Sequence, residues 1–224
     1  MVITVDGPAG AGKSTVAREL ARRLGFYYLD TGATYRAVTW RALKAGVDLN
    51  DRDALARVAR EADIGLEPGP DGMIVWCDGR DISREIRTPE VTDNIFHLAD
   101  QPAVREVLID IQRAFGRRHD LVAEGRDQGT DVFPDADVKF FLDASLEVRA
   151  QRRAGDMRAL GRPVAADRVL RNLAERDTKD ASRPMGALRR VEDMIVIDSS
   201  DMTVDEVVRA MLDRIEPRRI ADQA

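Results

Sequence analysis

The sequence predicts an α/β fold in which a parallel sheet carries helices on both faces, and three observations predict it. Short apolar runs of strand character alternate with segments of helical periodicity along most of the chain. The first such run, "ITVD", passes at once into a glycine-rich turn and a helix, "GPAGAGKSTVARELARRLG". Only residues 63–88 change character, to short runs separated by "PGPDG" and "DGRD", which predicts a small antiparallel insert.

The elements follow in order. Residues 2–6, Val-Ile-Thr-Val-Asp, are β-branched up to Asp6 and read as a buried strand. Val16, Leu20, Ala21 and Leu24 recur at helical spacing, so 13–24 reads as a helix, closed by Gly25. "FYYLD" (26–30) is a short strand, and "ATYRAVTWRALKAG" (33–46) a helix that Gly46 stops. "DRDALARVAREA" (51–62) is a further helix with Asp51 or Asp53 at its cap. After the insert, "PEVTDNIFHLAD" and "PAVREVLIDIQRAFG" return to helix, with Pro102 at a start position. Residues 120–125 and 138–145 are buried strands, and 145–153 is helical. Residues 155–163 read as a polar break, followed by a helix over 165–179. A last strand over 193–200 leads to a helix over 203–215, capped by Thr203, and 216–224 reads as a frayed tail.

Composition bounds the function. At 224 residues the chain can bury a substantial core, and one domain is the simplest organisation. The net charge of −5 argues against a non-specific nucleic-acid binder. No run of about 18 apolar residues and no signal-peptide core are present, so a soluble cytoplasmic protein with no membrane partner is expected. The single cysteine, Cys77, excludes an internal disulfide and reads as a structural, half-buried thiol. Two histidines make a His-based metal site improbable. There are four lysines among 35 basic residues, so an arginine is informative only inside a motif.

The turn after the first strand is a phosphate site. Gly7, Gly12, Lys13 and Ser14 fill G-x-x-x-x-G-K-[ST], the P-loop pattern. Glycines let successive backbone N–H groups point into one concavity, and the following helix adds its positive end. Lys13 is expected to reach the β- and γ-phosphates and the Ser14 hydroxyl to ligate Mg²⁺. The nucleotide contacts would be Gly7, Pro8, Ala9, Gly10, Ala11, Gly12, Lys13, Ser14 and Thr15. A P-loop alone does not separate a GTPase, an ATPase motor and a small-molecule kinase. No N-K-x-D occurs, which removes the usual guanine-reading segment. Isolated motif arginines suggest a second anion site: Arg36 in "LDTGATYRA", Arg126 in "AEGRDQGT", and Arg176 and Arg183 in "ERDTKDASR". An arginine-rich polar segment, about 149–184, lies between two core strands, as a mobile lid would. The bland reading of any one of these arginines is a solvated ion pair, and motif context is what sets them apart.

"GPAGAGKST", "LDTGATYRA", "VRE…QRAF", "AEGRDQGTDVFPDADVKFFLDAS" and "ERDTKDASRP", in order over about 2–215, closely resemble the bacterial cytidylate kinase family, the CMP/dCMP kinases of the nucleoside monophosphate kinase group. The antiparallel insert resembles that family's distinguishing insertion. The resemblance implies a P-loop NTPase-type parallel sheet with helices on both faces, with the insert in the monophosphate-binding region and a helical lid. It implies a single P-loop kinase domain over 1–224. Its core would be about 1–30, 117–148 and 185–215, its monophosphate-binding region with the insert about 31–116, and its lid about 149–184. The implied reaction is transfer of phosphate from ATP, with Mg²⁺, to CMP or dCMP.

Carried onto this sequence, Arg36 and Arg126 would clamp the CMP phosphate, with Arg176 reaching in from the lid. Arg105, Asp127 and Arg183 would surround the cytosine, Asp180 would take a ribose hydroxyl, and Asp30 and Thr31 would lie beside the substrate. Lys13, Arg126 and Arg176 would carry the transfer. The partners implied are ATP, CMP and dCMP, and a monomer is the default. In two respects the chain departs from the family: Gln128 in "GRDQGT" replaces an apolar residue common there, with little consequence expected, and the hydroxyl residue near the base falls by register on Phe96, which can stack on or line the pocket, or else Thr92 or Asn94 serves instead. Two alternatives stand beside this reading: a kinase for UMP, AMP or shikimate, and a non-catalytic nucleotide-binding regulator.

Overall fold

Strand β1 (Val2–Asp6) is the strand on which the rest of the first structural unit is assembled. The computed structural model describes residues 1–69, 72–159, 161 and 164–221. They fall into two compact units, one of Met1–Phe26 with Val122–Ala224 and one of Tyr27–Leu121.

In the first unit β1 runs parallel to β7 (Val138–Asp143), which runs parallel to β8 (Ile195–Asp198). Strand β6 (Leu121–Glu124) lies on the other side of β1, giving the order β6-β1-β7-β8. Parallel pairing brings the carboxyl ends of these strands, at Asp6, Glu124, Asp143 and Asp198, to one edge, where sheets of this kind place their ligands. Helix α1 (Lys13–Leu24) buries Val16, Ala17, Leu20 and Ala21, one stripe at helical spacing. Helix α9 (Val204–Ala221) buries Val207, Val208, Met211 and Ile215. Each large apolar side chain so buried stabilises the unit by roughly 1.5–3 kcal/mol over its exposed state. Where a frayed tail is expected from 216 on, residues 216–221 are helical and continue α9; the remainder of the expected tail lies outside the described residues. The Thr203 cap is present as a reciprocal pair: the Thr203 hydroxyl accepts from Glu206 N–H at 3.3 Å, and Glu206 accepts from Thr203 N–H at 2.8 Å.

Between β7 and β8 lie α7 (Leu146–Ala159) and α8 (Ala166–Ser182). The expected polar break at 155–163 is wrong for 155–159, which are the last turn of α7; Leu160, Arg162 and Pro163 lie outside the described residues. An exposed helix end has no apolar stripe to announce it, so its polarity resembles a loop. A feature with no sequence counterpart is a five-residue π-helical turn over Gln128–Val132.

The second unit begins with β2 (Tyr27–Asp30) and α2 (Thr31–Lys44). The helix starts two residues earlier than its apolar spacing suggests, because Asp30 caps it, accepting from Ala33 N–H at 3.2 Å. Asp51, not Asp53, caps α3 (Arg52–Glu61), accepting from Ala54 N–H at 2.9 Å. The antiparallel insert is as expected: β3 (Ile64–Gly69), β4 (Gly72–Cys77) and β5 (Arg80–Asp81) form a three-stranded sheet. Ile64 pairs with Cys77 and Leu66 with Val75, which puts alternate residues of both strands inside. Burial pushes the Cys77 thiol up to about 11, the state of an inert structural cysteine. The helix expected over 89–100 is two, α4 (Pro89–Asn94) and α5 (Phe96–Ala99), parted at Ile95. Helix α6 (Pro102–Gly116) closes the unit with Pro102 in its first turn.

Candidate active site

The phosphate loop is built by steric necessity. Gly7 has φ +150°, and a Cβ there would lie 2.0 Å from the carbonyl oxygen of Leu142. Only glycine lets the chain turn off β1 so close to β7. Gly12 caps α1 in the left-handed region at φ 90°, again without side-chain cost. The carbonyls of Ala9 and Ala11 are taken up by guanidinium groups from α7: Arg149 Nη1 donates to Ala9 at 3.1 Å and Arg152 Nη1 to Ala11 at 3.4 Å. The loop's N–H groups are thereby left for an anion. Lys13 is buried, and its Nζ donates to Pro8 O at 2.8 Å. Ser14 and Thr15 are exposed on the first turn of α1, and Ser14 Oγ donates to Glu124 Oε1 at 2.8 Å.

Charge is concentrated there. Burial, and then the nearby Arg126, pull the Lys13 ammonium down from 10.5 to about 7, against the pull of Glu124 and Asp6. Asp6 is fully buried and accepts from Gln128 N–H at 2.9 Å and Gly129 N–H at 2.7 Å. Burial dominates these bonds and pushes its carboxyl up to about 7.

Asp180, near the end of α8, is 1% exposed and gathers three arginines. Arg126 Nε donates to its Oδ2 at 2.8 Å, Arg183 Nη2 is 2.9 Å from Oδ1, and Arg176 Nε is 4.0 Å from Oδ2. Burial alone would raise this carboxyl, but Arg126, Arg183 and Arg176 together hold it below the usual carboxylate range. It stays ionised at neutral pH and partly neutralises a cationic cluster. Asp127 follows Arg126, is buried, and its carbonyl accepts from Asp131 and Val132 N–H. The first unit thus brings together Gly7–Thr15, Arg126, Asp127, Arg176, Asp180 and Arg183.

In the second unit, Arg36 Nη2 donates to Asp30 Oδ2 at 2.7 Å, with Arg87 3.7 Å from the same oxygen. A Cβ on Gly32 would sit 3.0 Å from the Arg36 guanidinium and 3.3 Å from Asp30, so glycine keeps this pair accessible. Thr31 is buried at the start of α2. Arg105 is buried on α6; its Nη1 donates to Ala99 O at 3.2 Å and its guanidinium lies 5.5 Å from the Tyr35 ring centroid. Phe96 is 53% exposed, its ring 4.0 Å from that of His97, so it is no core residue. Asn94, one alternative to it, spends its amide on Glu90 O at 2.8 Å. A groove of about 550 Å³ elsewhere in this unit is lined by Trp40, Lys44, Arg57 and Asp78 and includes none of the motif residues.

Sequence reasoning missed Glu124, Asp6, Arg149 and Arg152. Glu124 had a readable signal, an acid ending a buried strand just before the "GRD" motif. The two α7 arginines had none, since arginines crowd that whole helix.

The chain is similar to known proteins along nearly its whole length. The family model described as cytidylate kinase matches residues 3–217. A cytidylate kinase of Rhodopirellula baltica is 46% identical over 95% of this chain and 91% of its own length. One from Desulforamulus reducens is 46% identical over 96% of both. A bifunctional pantoate ligase/cytidylate kinase of Trichormus variabilis is 44% identical over 97% of this chain, which spans only 41% of that longer protein. With a phosphate loop, a buried lysine and an arginine cluster in one unit and a family match over nearly its whole length, the chain belongs to the cytidylate kinase family.

Proposed function

We propose that the protein transfers the γ-phosphoryl group of ATP to CMP and dCMP, giving ADP with CDP or dCDP, as a step of pyrimidine nucleotide metabolism in the cytoplasm. The observation that carries this reading is the gathering of Arg126, Arg183 and Arg176 around the buried Asp180, at 2.8, 2.9 and 4.0 Å, in the same unit as the buried Lys13 of the phosphate loop. One carboxylate among so many cations leaves a site suited to a polyanion. Family membership supplies the substrate class.

The roles follow from charge and geometry. A monophosphate oxygen is already anionic near neutral pH, so no general base is required. The protein must align two repelling polyanions and neutralise charge on the transferred group. Residues 7–15 hold ATP. Ser14 and Glu124 offer the hard oxygen ligands that Mg²⁺ takes alongside phosphates. When bound, the ion neutralises charge on the phosphates. Arg36 and Arg126 clamp the CMP phosphate as planar forks, and Arg176 joins them from a lid over about 149–184. Arg105, Asp127 and Arg183 read the cytosine, Asp180 takes a ribose hydroxyl, and Asp30 and Thr31 border the substrate. In this reading the protein works as a monomer without nucleic-acid or membrane partners. Among the described residues no helix is long and apolar enough to cross a membrane.

Coupled ADP production with CMP, dCMP, UMP, AMP and shikimate tests the reading. CMP and dCMP should be far better acceptors, and equal turnover of UMP would sink it. Within the pocket, Asp127→Asn should weaken CMP use roughly a hundredfold while ATP affinity holds, because a charged acceptor for the cytosine amine is lost. Discrimination against UMP should narrow as well, since the new amide can donate to the uracil O4.

ATP binding should depend on pH. Lys13 is partly neutral above about pH 7 in the free protein, and polyphosphate favours its charged form. Binding then takes up a proton above pH 7, and affinity falls by up to about tenfold per pH unit beyond it. Calorimetric titrations at pH 8 in buffers of different ionisation enthalpy should show this uptake; heats that do not vary with buffer would contradict it.

A further inference from the structure

The π-helical turn Gln128–Val132 is held from both ends by carboxylates. Asp6, at the end of β1, accepts the N–H groups of Gln128 and Gly129 at 2.9 and 2.7 Å. Asp131, inside the turn, faces the other way: its Oδ2 accepts Gly186 N–H at 2.8 Å and its Oδ1 accepts Arg189 Nη2 at 2.9 Å. Gly186 has φ +72° and belongs to the strap that follows α8. The strap folds back on that helix, Leu188 N–H donating to Asp180 O at 2.9 Å. The two ends of this structure meet again through side chains, since Arg126 lies two residues before the turn and donates to Asp180 at 2.8 Å. A closed ring results: Arg126, the turn, Asp131, Gly186, the strap, Asp180 and back to Arg126.

We propose that Asp131 is a positioning residue, which by anchoring Gly186 sets where Asp180 and Arg183 stand against Arg126 and so shapes the CMP side of the site. This rests on the function proposed above. The Gly186 bond carries the effect. The Arg189 pair is of little account, because that side chain is 58% exposed and such pairs contribute little. Losing the anchor lets α8's end drift, and displacements of about an ångström at reacting groups cost up to roughly a hundredfold. The phosphate loop is braced separately by Arg149 and Arg152, so ATP binding is spared.

The test compares the full-length protein with Asp131→Ala, Asp131→Asn, Asp131→Glu and Arg189→Ala. Asp131→Ala should raise KM for CMP about tenfold or more, leave the Kd for ATP unchanged, and speed hydrogen exchange at the Gly186 amide. Asp131→Asn keeps an oxygen for Gly186 and should restore KM to within about threefold. Arg189→Ala should stay within about twofold. A folded Asp131→Ala variant with an unchanged KM for CMP overturns the proposal, even if its melting temperature falls. Should that variant not fold, Asp131→Glu decides in the same way, since it keeps the charge but moves the anchor by one methylene. A freely exchanging Gly186 amide in the unmodified protein overturns the proposal by itself. Failure of the unmodified protein to phosphorylate CMP would instead sink the proposed function, whereas CMP turnover with unmoved variant constants sinks only the role of Asp131.

Discussion

Lys13→Ala should lower kcat by about two to three orders of magnitude while the fold is kept. The ammonium sits on the first turn of α1, buried, with Arg126 as its cationic neighbour. Charge grows on the transferred phosphoryl group in the transition state, and removing one preorganised charged donor from such a site costs on the order of a hundred- to a thousandfold. The variant should fold, because the bond lost to Pro8 O is offset by relief of a desolvated cation. Circular dichroism melts beside coupled assays at saturating ATP separate the two effects. Near-normal turnover would mean that the phosphate loop serves something other than transfer.

Arg126→Lys should be nearly as severe, although the charge is retained. Arg126 already divides its fork, Nε donating to Asp180 at 2.8 Å and Nη1 to Gly125 O at 3.2 Å, and in the proposed function it must also hold the CMP phosphate. Lysine has a single point of charge and must choose. If it turns to the phosphate, Asp180 loses a partner inside a pocket where it is 1% exposed; if it stays with Asp180, the phosphate loses its clamp. Either way kcat/KM for CMP should drop by a hundredfold or more. A lysine variant with nearly full activity would make Arg126 a structural arginine and place the clamp elsewhere.

How much of this was legible in the sequence varies from residue to residue. The phosphate loop could be read because its constraints are local: a turn off a strand demands glycine at 7 and 12, and the helix behind it shows its buried stripe at 16, 17, 20 and 21. The antiparallel insert was legible for the same reason, since turn residues and alternation mark it within a few positions. The end of α7 was misread because an exposed helix leaves no periodic trace, and Ile95 parts α4 from α5 with neither proline nor glycine to mark it.

The α/β order, the phosphate loop and the motif arginines can all be read from the order of residues, since each rests on backbone sterics or on spacing within one or two turns. What those arginines face follows from the folded packing alone. Asp180 meets Arg126 across 54 positions of chain, and Arg149 reaches Ala9 across 140. Ser14 meets Glu124 across 110, and Asp6 meets the turn at Gln128 across 122. The shift of the Asp6 carboxyl to about 7 is also a tertiary effect, because desolvation depends on every atom packed around a group. Charge pairing and burial act through space, and the order of residues along a chain does not record which distant groups will share a low-dielectric site.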